Sequence, residues 1–579
     1  MPTGAQALVQ TLAELGVRLV FGLPGVHNLS VFRALADSSI RVVGVRHEQA
    51  AAYAADGFAR ATGELGVALV TTGPGAANTL GATGEAMASR SPVLVIATDI
   101  PAALRRPGVY RGVLHETRDQ AAMFAPVTKA ASTVADPATI GDAIRDAAAL
   151  AIAPSSGPVY LGIPTDLLDQ PSRAAAKSPA TAPLATPDPD LVAAAADLLA
   201  RATRPLIWTG GGALRAGASA AVGELAEKLA APVVTTFLGR GLLAADHPCA
   251  VPGPIHAPEV GPLWDEADLV LAIGTDFDGM MTQNWAMPRP PTLIAINIDA
   301  ADANKNYRSD LTLVGDATTV TRALAARITQ VRGDVAQLAD RLTALGERVA
   351  TAVNAEDPQA AAFLQIMERA LTPETIVLAD MCIAGYWLAG YRRVPRPRTL
   401  AYPAGWGTLG FAFPASLGAA VADRGPTVCV TGDGGFLFAC GELATVVQER
   451  IPVTIVLVDD GGYGMLRFDQ SQAGEAPFGV DLAVPDFAML AEAFGLPAST
   501  HAGFDDAFEA WLVDAVAGGE PRLGIVRVAL TPPPTTSPRW YRRRPAPLRS
   551  AGSERRDGPL ASERQVSGAT RRADGSSQR

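Results

Sequence analysis

The sequence predicts an α/β protein built from three doubly wound parallel-sheet domains, and three observations predict it. The chain has 579 residues, too many for one ordinary hydrophobic core. Short runs of Val, Ile and Leu alternate with helical patterns along most of its length, as parallel strands buried on both faces do. The alternation is interrupted twice, by a Pro/Ala/Ser/Thr-rich linker at 171–189 and by a helical linker at 331–357. These interruptions divide the chain into domains at 1–170, 190–330 and 358–530.

In the first domain, Ala7, Leu8, Leu12 and Leu15 recur at helical spacing over 4–16. Apolar runs at 18–22, 40–45, 67–72, 93–98 and 159–163 predict strands, with a helix over 48–62. The second domain has strand patterns at 205–209, 233–235, 269–273 and 293–298, then a helical piece over 316–352. The third has strands at 376–379, 427–431, 453–458 and 523–528, and its pattern resembles that of the first. The segment 531–579 becomes polar and Gly/Ser/Arg-rich, too poor in apolar residues to order itself, so disorder and no function are expected there.

Composition narrows the partners. Hydrophobic residues make up 48% and charged residues 18%, with a formal net charge of −10, which disfavours nucleic acid and anionic membranes. The N-terminus lacks the basic start and apolar run of a secretory signal, and no run of roughly 18 apolar residues reads as a membrane span. Cys249, Cys382, Cys429 and Cys440 have no metal-binding spacing and read as core thiols of a reducing compartment, so a cytoplasmic location is expected.

The strongest chemical signal follows the 427–431 strand. Gly432-Asp433-Gly434-Gly435 opens into a helical run through Glu442 and Leu443. Glycines at a helix N-terminus make a phosphate cradle, because free N–H groups and the helix dipole favour an anion. Asp433 would repel that phosphate unless a cation lay between them, which argues for Mg²⁺. The 453–458 strand ends in Asp459-Asp460-Gly461-Gly462-Tyr463-Gly464, and adjacent parallel strands would place this turn beside Asp433. Read singly, either aspartate could be a turn or N-cap residue.

Gly-Asp-Gly followed, 27 positions after Asp433, by the Asp459-Asp460 pair resembles the thiamine-diphosphate enzyme signature. The resemblance implies Asp433, Asp460 and the main-chain oxygen of Gly462 as metal ligands. Asp460 stands where the family usually has Asn. It also implies cofactor contacts from Gly432, Gly434, Gly435, Tyr463, Gly464 and Met465. In the first domain, Arg46-His47-Glu48-Gln49-Ala50-Ala51 is similar to the family's glutamate motif. Thr71 to Asn78, with Pro74 inside it, is similar to the aminopyrimidine loop, and Phe21-Gly22-Leu23-Pro24-Gly25 also fits. Burial helps a carboxyl group keep a proton to share with a ring nitrogen, and the resemblance gives Glu48 that role. Alone it would be an ordinary first-turn helix acid. The loop 403–411 implies Gly407 beside the cofactor and Leu409 as the apolar wedge that bends it. Pyrimidine-binding, central and diphosphate-binding domains follow in order. The resemblance also implies a homodimer or dimer of dimers with active sites between chains.

The whole-chain pattern is most similar to acetolactate synthase large subunits, which implies decarboxylation of a 2-oxo acid and then carboligation; the alternative is a simple 2-oxo acid decarboxylase releasing an aldehyde. Lys129, Asp380 and Trp387 fit that group. His115, in Leu114-His115-Glu116, falls where synthases have a substrate-facing glutamine and is a candidate proton donor, with His27 a weaker one. Asp469 stands where the synthases have a selective tryptophan, Asp276 where they have an arginine touching FAD, and Ile383-Ala384 where they have Gln-His. Trp208 to Gly212 reads as a weak dinucleotide cradle, so FAD is weighed but not favoured. A silent relative would lose Glu48 or Asp433, and both are present. An NAD dehydrogenase would not place a carboxylate inside its cradle.

Overall fold

The computed structural model describes residues 1–106, 108–173, 187–330 and 333–534. Most of the 171–189 linker and of the 531–579 tail therefore lies outside the described residues.

Three parallel sheets account for the strands. The first holds β1 (Leu19–Gly22), β2 (Arg41–Gly44), β3 (Gly66–Val70), β4 (Val93–Asp99), β5 (Ala130–Thr133) and β6 (Val159–Pro164). The second holds β7 (Pro205–Thr209), β8 (Val233–Thr235), β9 (Leu269–Ile273), β10 (Thr292–Asn297) and β11 (Leu311–Val314). The third holds β12 (Ile376–Ala379), β13 (Leu400–Ala401), β14 (Thr427–Gly432), β15 (Val453–Asp459), β16 (Ala498–His501) and β17 (Arg522–Arg527). The first sheet runs β2-β1-β3-β4-β6-β5 and the third β13-β12-β14-β15-β17-β16, so the two domains share one topology. Both carry their loops at the carboxyl ends of the strands, where α/β sheets bind ligands.

Sequence patterning missed β5, β11, β13 and β16. All four are sheet edges; β5 and β16 are half-exposed, so they lack a continuous apolar run. The helical piece over 316–352 is two helices, Ala317–Arg327 and Val335–Glu356. The second buries Leu338, Leu342, Leu345, Val349 and Val353 on one face, so the helical linker is part of the core. The run after Asp433 is also broken: the helix Asp433–Phe436 gives way to a 3₁₀ turn, Cys440–Glu442, before Leu443–Glu449.

Strand alternation joins the domains. On β14, Val428 and Val430 face a cluster shared with the central domain, while Cys429 faces one shared with the first domain. The first and third domains meet through the helices Glu48–Thr62 and Ala412–Val421. Their backbones touch at glycine: a Cβ on Gly57 would lie 1.9 Å from the Ala415 carbonyl oxygen, and one on Gly418 would lie 1.8 Å from that of Ala54.

Candidate active site

Two groups of predicted residues assemble at the strand ends of the two like-ordered sheets. In the first domain, Glu48 opens the helix Glu48–Thr62 and is 9% exposed. Its Oε2 accepts a hydrogen bond from Asn78 Nδ2 at 2.9 Å. Gly25 and Gly75 pack on Thr71, where a Cβ would lie 2.6 Å and 2.7 Å from that side chain, and the Gly75 position is 3.3 Å from Glu48 Oε1. Pro74 starts the short helix Pro74–Ala77 that delivers Asn78. The turn before Glu48 is held from the third domain, where the Glu442 carboxylate accepts from the backbone N–H of Arg46 (2.9 Å) and of His47 (3.0 Å). Sequence reasoning missed Glu442, whose partners are nearly 400 positions away.

His27 and His115 come together edge to face with ring centroids 5.2 Å apart. The Nδ1 atoms of both are buried and have no hydrogen-bond partner among the described residues. Burial, then the neighbouring His115, holds the His27 pKa below its ordinary value, with Asp99 pulling the other way. Asp99 ends β4 and is ion-paired with Arg105. Gln120 ties the group to its scaffold: its Oε1 accepts from Gly73 N–H at 2.6 Å, and its Nε2 donates to Tyr160 Oη at 2.6 Å. The sequence pattern gave no signal for Asp99 or Gln120.

In the third domain β14 and β15 pair with Gly432 opposite Val458, which brings the Asp433 and Asp460 turns together. Asp433 is 1% exposed, and its Oδ1 accepts from Gly434 N–H at 2.9 Å. Its Oδ2 and Asp460 Oδ1 are buried without a hydrogen-bond partner among the described residues. Burial and the facing Asp460 push the Asp433 carboxyl up to about 6; burial also raises Asp460, against the pull of Arg467. Two adjacent carboxylates with orphaned oxygens fit a hard divalent cation. Among the described residues no three His, Cys, Asp or Glu side chains cluster to hold a metal, so an ion here needs further oxygens from a diphosphate, water or the Gly462 carbonyl. The walls suit close approach: a Cβ on Gly434 would lie 2.7 Å from the Tyr463 ring, and one on Gly464 would lie 2.0 Å from Asp460 Oδ2. Arg467 braces the turn by donating to the Asp460 and Gly461 carbonyls, both at 3.3 Å. Met465 packs on the apolar cluster beneath.

The 402–411 loop borders this group. Gly407 has φ +73° and Gly410 φ +81°, conformations that favour glycine. Asp380 Oδ1 accepts from Gly410 N–H (3.0 Å) and Phe411 N–H (3.3 Å), and Oδ2 from Thr431 Oγ1 (3.1 Å). Leu409 is left half-buried. None of the described hydrogen bonds, ion pairs or ring contacts joins the Glu48 group to the Asp433 group.

A cavity of about 510 Å³ lies between the central domain and its neighbours, bordered by Gly210–Gly212, Arg215, Gly274 and Asp276. Burial, with Arg90 and Arg398 nearby, brings the Arg215 pKa down to about 10. Asp276 is paired with Lys305 at 2.5 Å.

Paired carboxylates above one sheet and a buried glutamate above its topological twin are the layout of a cofactor-dependent α/β enzyme. Comparison with known proteins makes this specific. Residues 2–123 match the thiamine pyrophosphate enzyme N-terminal TPP binding domain, 192–324 the central domain and 380–525 the C-terminal TPP binding domain. A probable 2-ketoarginine decarboxylase of Pseudomonas aeruginosa is 38% identical over 504 residues, covering 85% of this chain and 88% of that protein. A probable acetolactate synthase large subunit of Methanocaldococcus jannaschii is 34% identical, covering 90% and 91%. An acetolactate synthase of Mycobacterium bovis is 33% identical, covering 85% and 82%. The chain belongs to the thiamine pyrophosphate enzyme family. It is a thiamine-diphosphate-dependent enzyme of the group that contains acetolactate synthases and 2-oxo acid decarboxylases. No helix among the described residues is long and apolar enough to cross a membrane.

Proposed function

We propose that this enzyme uses thiamine diphosphate and Mg²⁺ to decarboxylate a 2-oxo acid and release the aldehyde. The observation that carries the metal site is the orphaned pair Asp433 Oδ2 and Asp460 Oδ1 beside a glycine cradle. Asp433, Asp460 and the Gly462 carbonyl would hold the ion, and Gly432, Gly434, Gly435 and the 463–465 run would receive the diphosphate. Glu48, held by Asn78, would hold and return a proton at the aminopyrimidine ring; Leu409 and Gly407 would support the cofactor. When bound, thiamine diphosphate would supply the nucleophilic carbon and the electron sink that decarboxylation of a 2-oxo acid requires. His115, with His27 beside it, would deliver the final proton; a lowered pKa keeps His27 neutral at pH 7 and able to accept or relay one.

The departures from the synthases at Asp469, Asp276 and Ile383-Ala384 favour release over carboligation, as does the name of the 38% identical relative. Carboligation remains the second reading, on the names of the synthase relatives. The first substrate to test is 2-ketoarginine, on the name of the 38% identical relative. Asp276, which borders the central cavity and pairs with Lys305, stands where the synthases have an arginine touching FAD, so FAD is again not favoured. Membership of the family supports a homodimer or dimer of dimers with active sites between chains. The decisive experiment is a panel of 2-oxo acids with thiamine diphosphate and Mg²⁺, scoring CO₂ and products. Aldehyde as the main product supports the proposal; a 2-hydroxy-3-oxo acid supports carboligation, and no CO₂ from any member refutes both.

A further inference from the structure

We infer that Arg60, acting with Glu85, is a positioning residue that sets the 402–411 loop against the cofactor from the first domain of the same chain. The inference rests on the cofactor reading above, which puts Leu409 and Gly407 at that site.

Arg60 lies in the last turn of the helix Glu48–Thr62. Its Nε donates to Asp56 Oδ1 at 2.9 Å and its Nη2 to Asp56 Oδ2 at 2.7 Å. Nη2 also donates to Glu85 Oε1 at 3.0 Å, and Nη1 to the Tyr402 carbonyl oxygen at 3.0 Å. The guanidinium carbon is 4.6 Å from the centre of the Phe411 ring. Tyr402 and Phe411 are the two ends of the loop. Between them Thr408 Oγ1 donates to Glu85 Oε2 at 3.1 Å. One guanidinium–carboxylate pair thus touches the loop at both ends and, next to Leu409, in the middle.

Stability alone does not account for this cluster. The Asp56 and Glu85 side chains are fully buried and Arg60 is 11% exposed, so three charges have left water. Burial raises the Glu85 pKa even though Arg60 opposes the rise. Buried ionic clusters of this kind are often no more stable than apolar side chains of the same volume. A fully bonded network does fix geometry. The loop needs that, because Gly405, Gly407 and Gly410 leave its backbone many conformations. Asp380 ties only residues 410 and 411, and Tyr402 Oη donates to Met381 Sδ at 3.0 Å within the third domain; the ties from the first domain, at 402 and 408, come from Arg60 and Glu85. Catalytic supports must hold to within about 0.5 Å, and the ties at 402 and 408 supply that precision across a domain boundary.

Three variants of the full chain test the inference. Thr408→Val removes the bond between loop and Glu85. Arg60→Lys keeps the charge but loses the fork. Ser89→Ala removes an equivalent bond to Glu85 Oε1, of 2.9 Å, that does not touch the loop. Hydrogen exchange of the 402–411 amides is followed without cofactor. With thiamine diphosphate and Mg²⁺ added, calorimetry gives Kd and NMR in deuterated water gives the exchange rate of the C2 proton. Thr408→Val and Arg60→Lys should speed loop amide exchange about tenfold, the effect of one net hydrogen bond. They should slow C2 exchange by a similar factor, with Kd within about threefold of wild type. Ser89→Ala should match wild type in all three. Wild-type C2 exchange in Thr408→Val overturns the inference, as does an equal slowing in Ser89→Ala, which would mark the cluster as part of the fold only. If Arg60→Lys does not fold, Thr408→Val decides. A wild-type chain that binds no thiamine diphosphate overturns the cofactor reading itself, and this inference with it.

Discussion

Replacing Glu48 by Gln separates cofactor binding from cofactor activation. The side chain keeps its size, and its amide oxygen can still accept from Asn78 Nδ2, now 2.9 Å from Oε2. What is lost is the charge on that bond and the favourable interaction of an anion with the helix start, together about 1 kcal/mol. Leaving water costs the neutral amide less than the carboxylate, which offsets part of that loss at 9% exposure. The variant should therefore fold and melt within a few degrees of wild type. Thiamine diphosphate should bind within about tenfold of wild type, or about 1.4 kcal/mol, since the diphosphate and metal contacts lie in the third domain. Turnover should fall about a hundredfold or more, the usual effect of losing a positioned acid–base group. The assay is C2-proton exchange of the bound cofactor in deuterated water, followed by NMR, beside a calorimetric Kd. The reasoning fails if the variant exchanges at the wild-type rate, because Glu48 would then be a structural acid.

The remaining predictions address the metal and stability. Asp433→Ala should abolish Mg²⁺-dependent thiamine diphosphate binding in calorimetry, whereas Asp460→Asn, which removes one charge from a crowded pair, should stay active; tight binding by Asp433→Ala would move the site elsewhere. His256 is 2% exposed and burial holds its pKa near 4, below the ordinary 6.5. Between those values the unfolded chain binds the extra proton, so stability rises with pH and is lost as pH falls from 6.5 through 4, by up to about 3 kcal/mol. His256→Leu should flatten that part of the melting-temperature profile, and an unchanged slope would show that His256 does not titrate this way.

Much of this was legible in one dimension. Strands such as 205–209, 269–273 and 376–379 were read to the residue because central parallel strands are apolar on both faces. The helix Glu48–Thr62 was equally plain, and the structure adds a His47 cap at its start and a left-handed Gly63 at its end. Edge strands β5, β11, β13 and β16 escaped, since an edge need not carry a run of apolar residues. The aspartates could be paired from sequence because the parallel register of β14 and β15 follows from adjacency in the sheet.

By itself the sequence determined the three-domain α/β class and the central strands, because strands buried on both faces impose local rules on residue type, and it pointed to Glu48, Asp433 and Asp460 through the resemblance of their motifs to a family's. Tertiary structure alone decided that Glu442 holds the turn before Glu48, that His27 meets His115 beside Asp99, and that Arg60 and Glu85 tie down the 402–411 loop. These contacts join residues up to 396 positions apart. The Glu442 and Arg60 contacts depend on how whole domains dock and the His27–His115 contact on how one domain folds, and no local spacing encodes either.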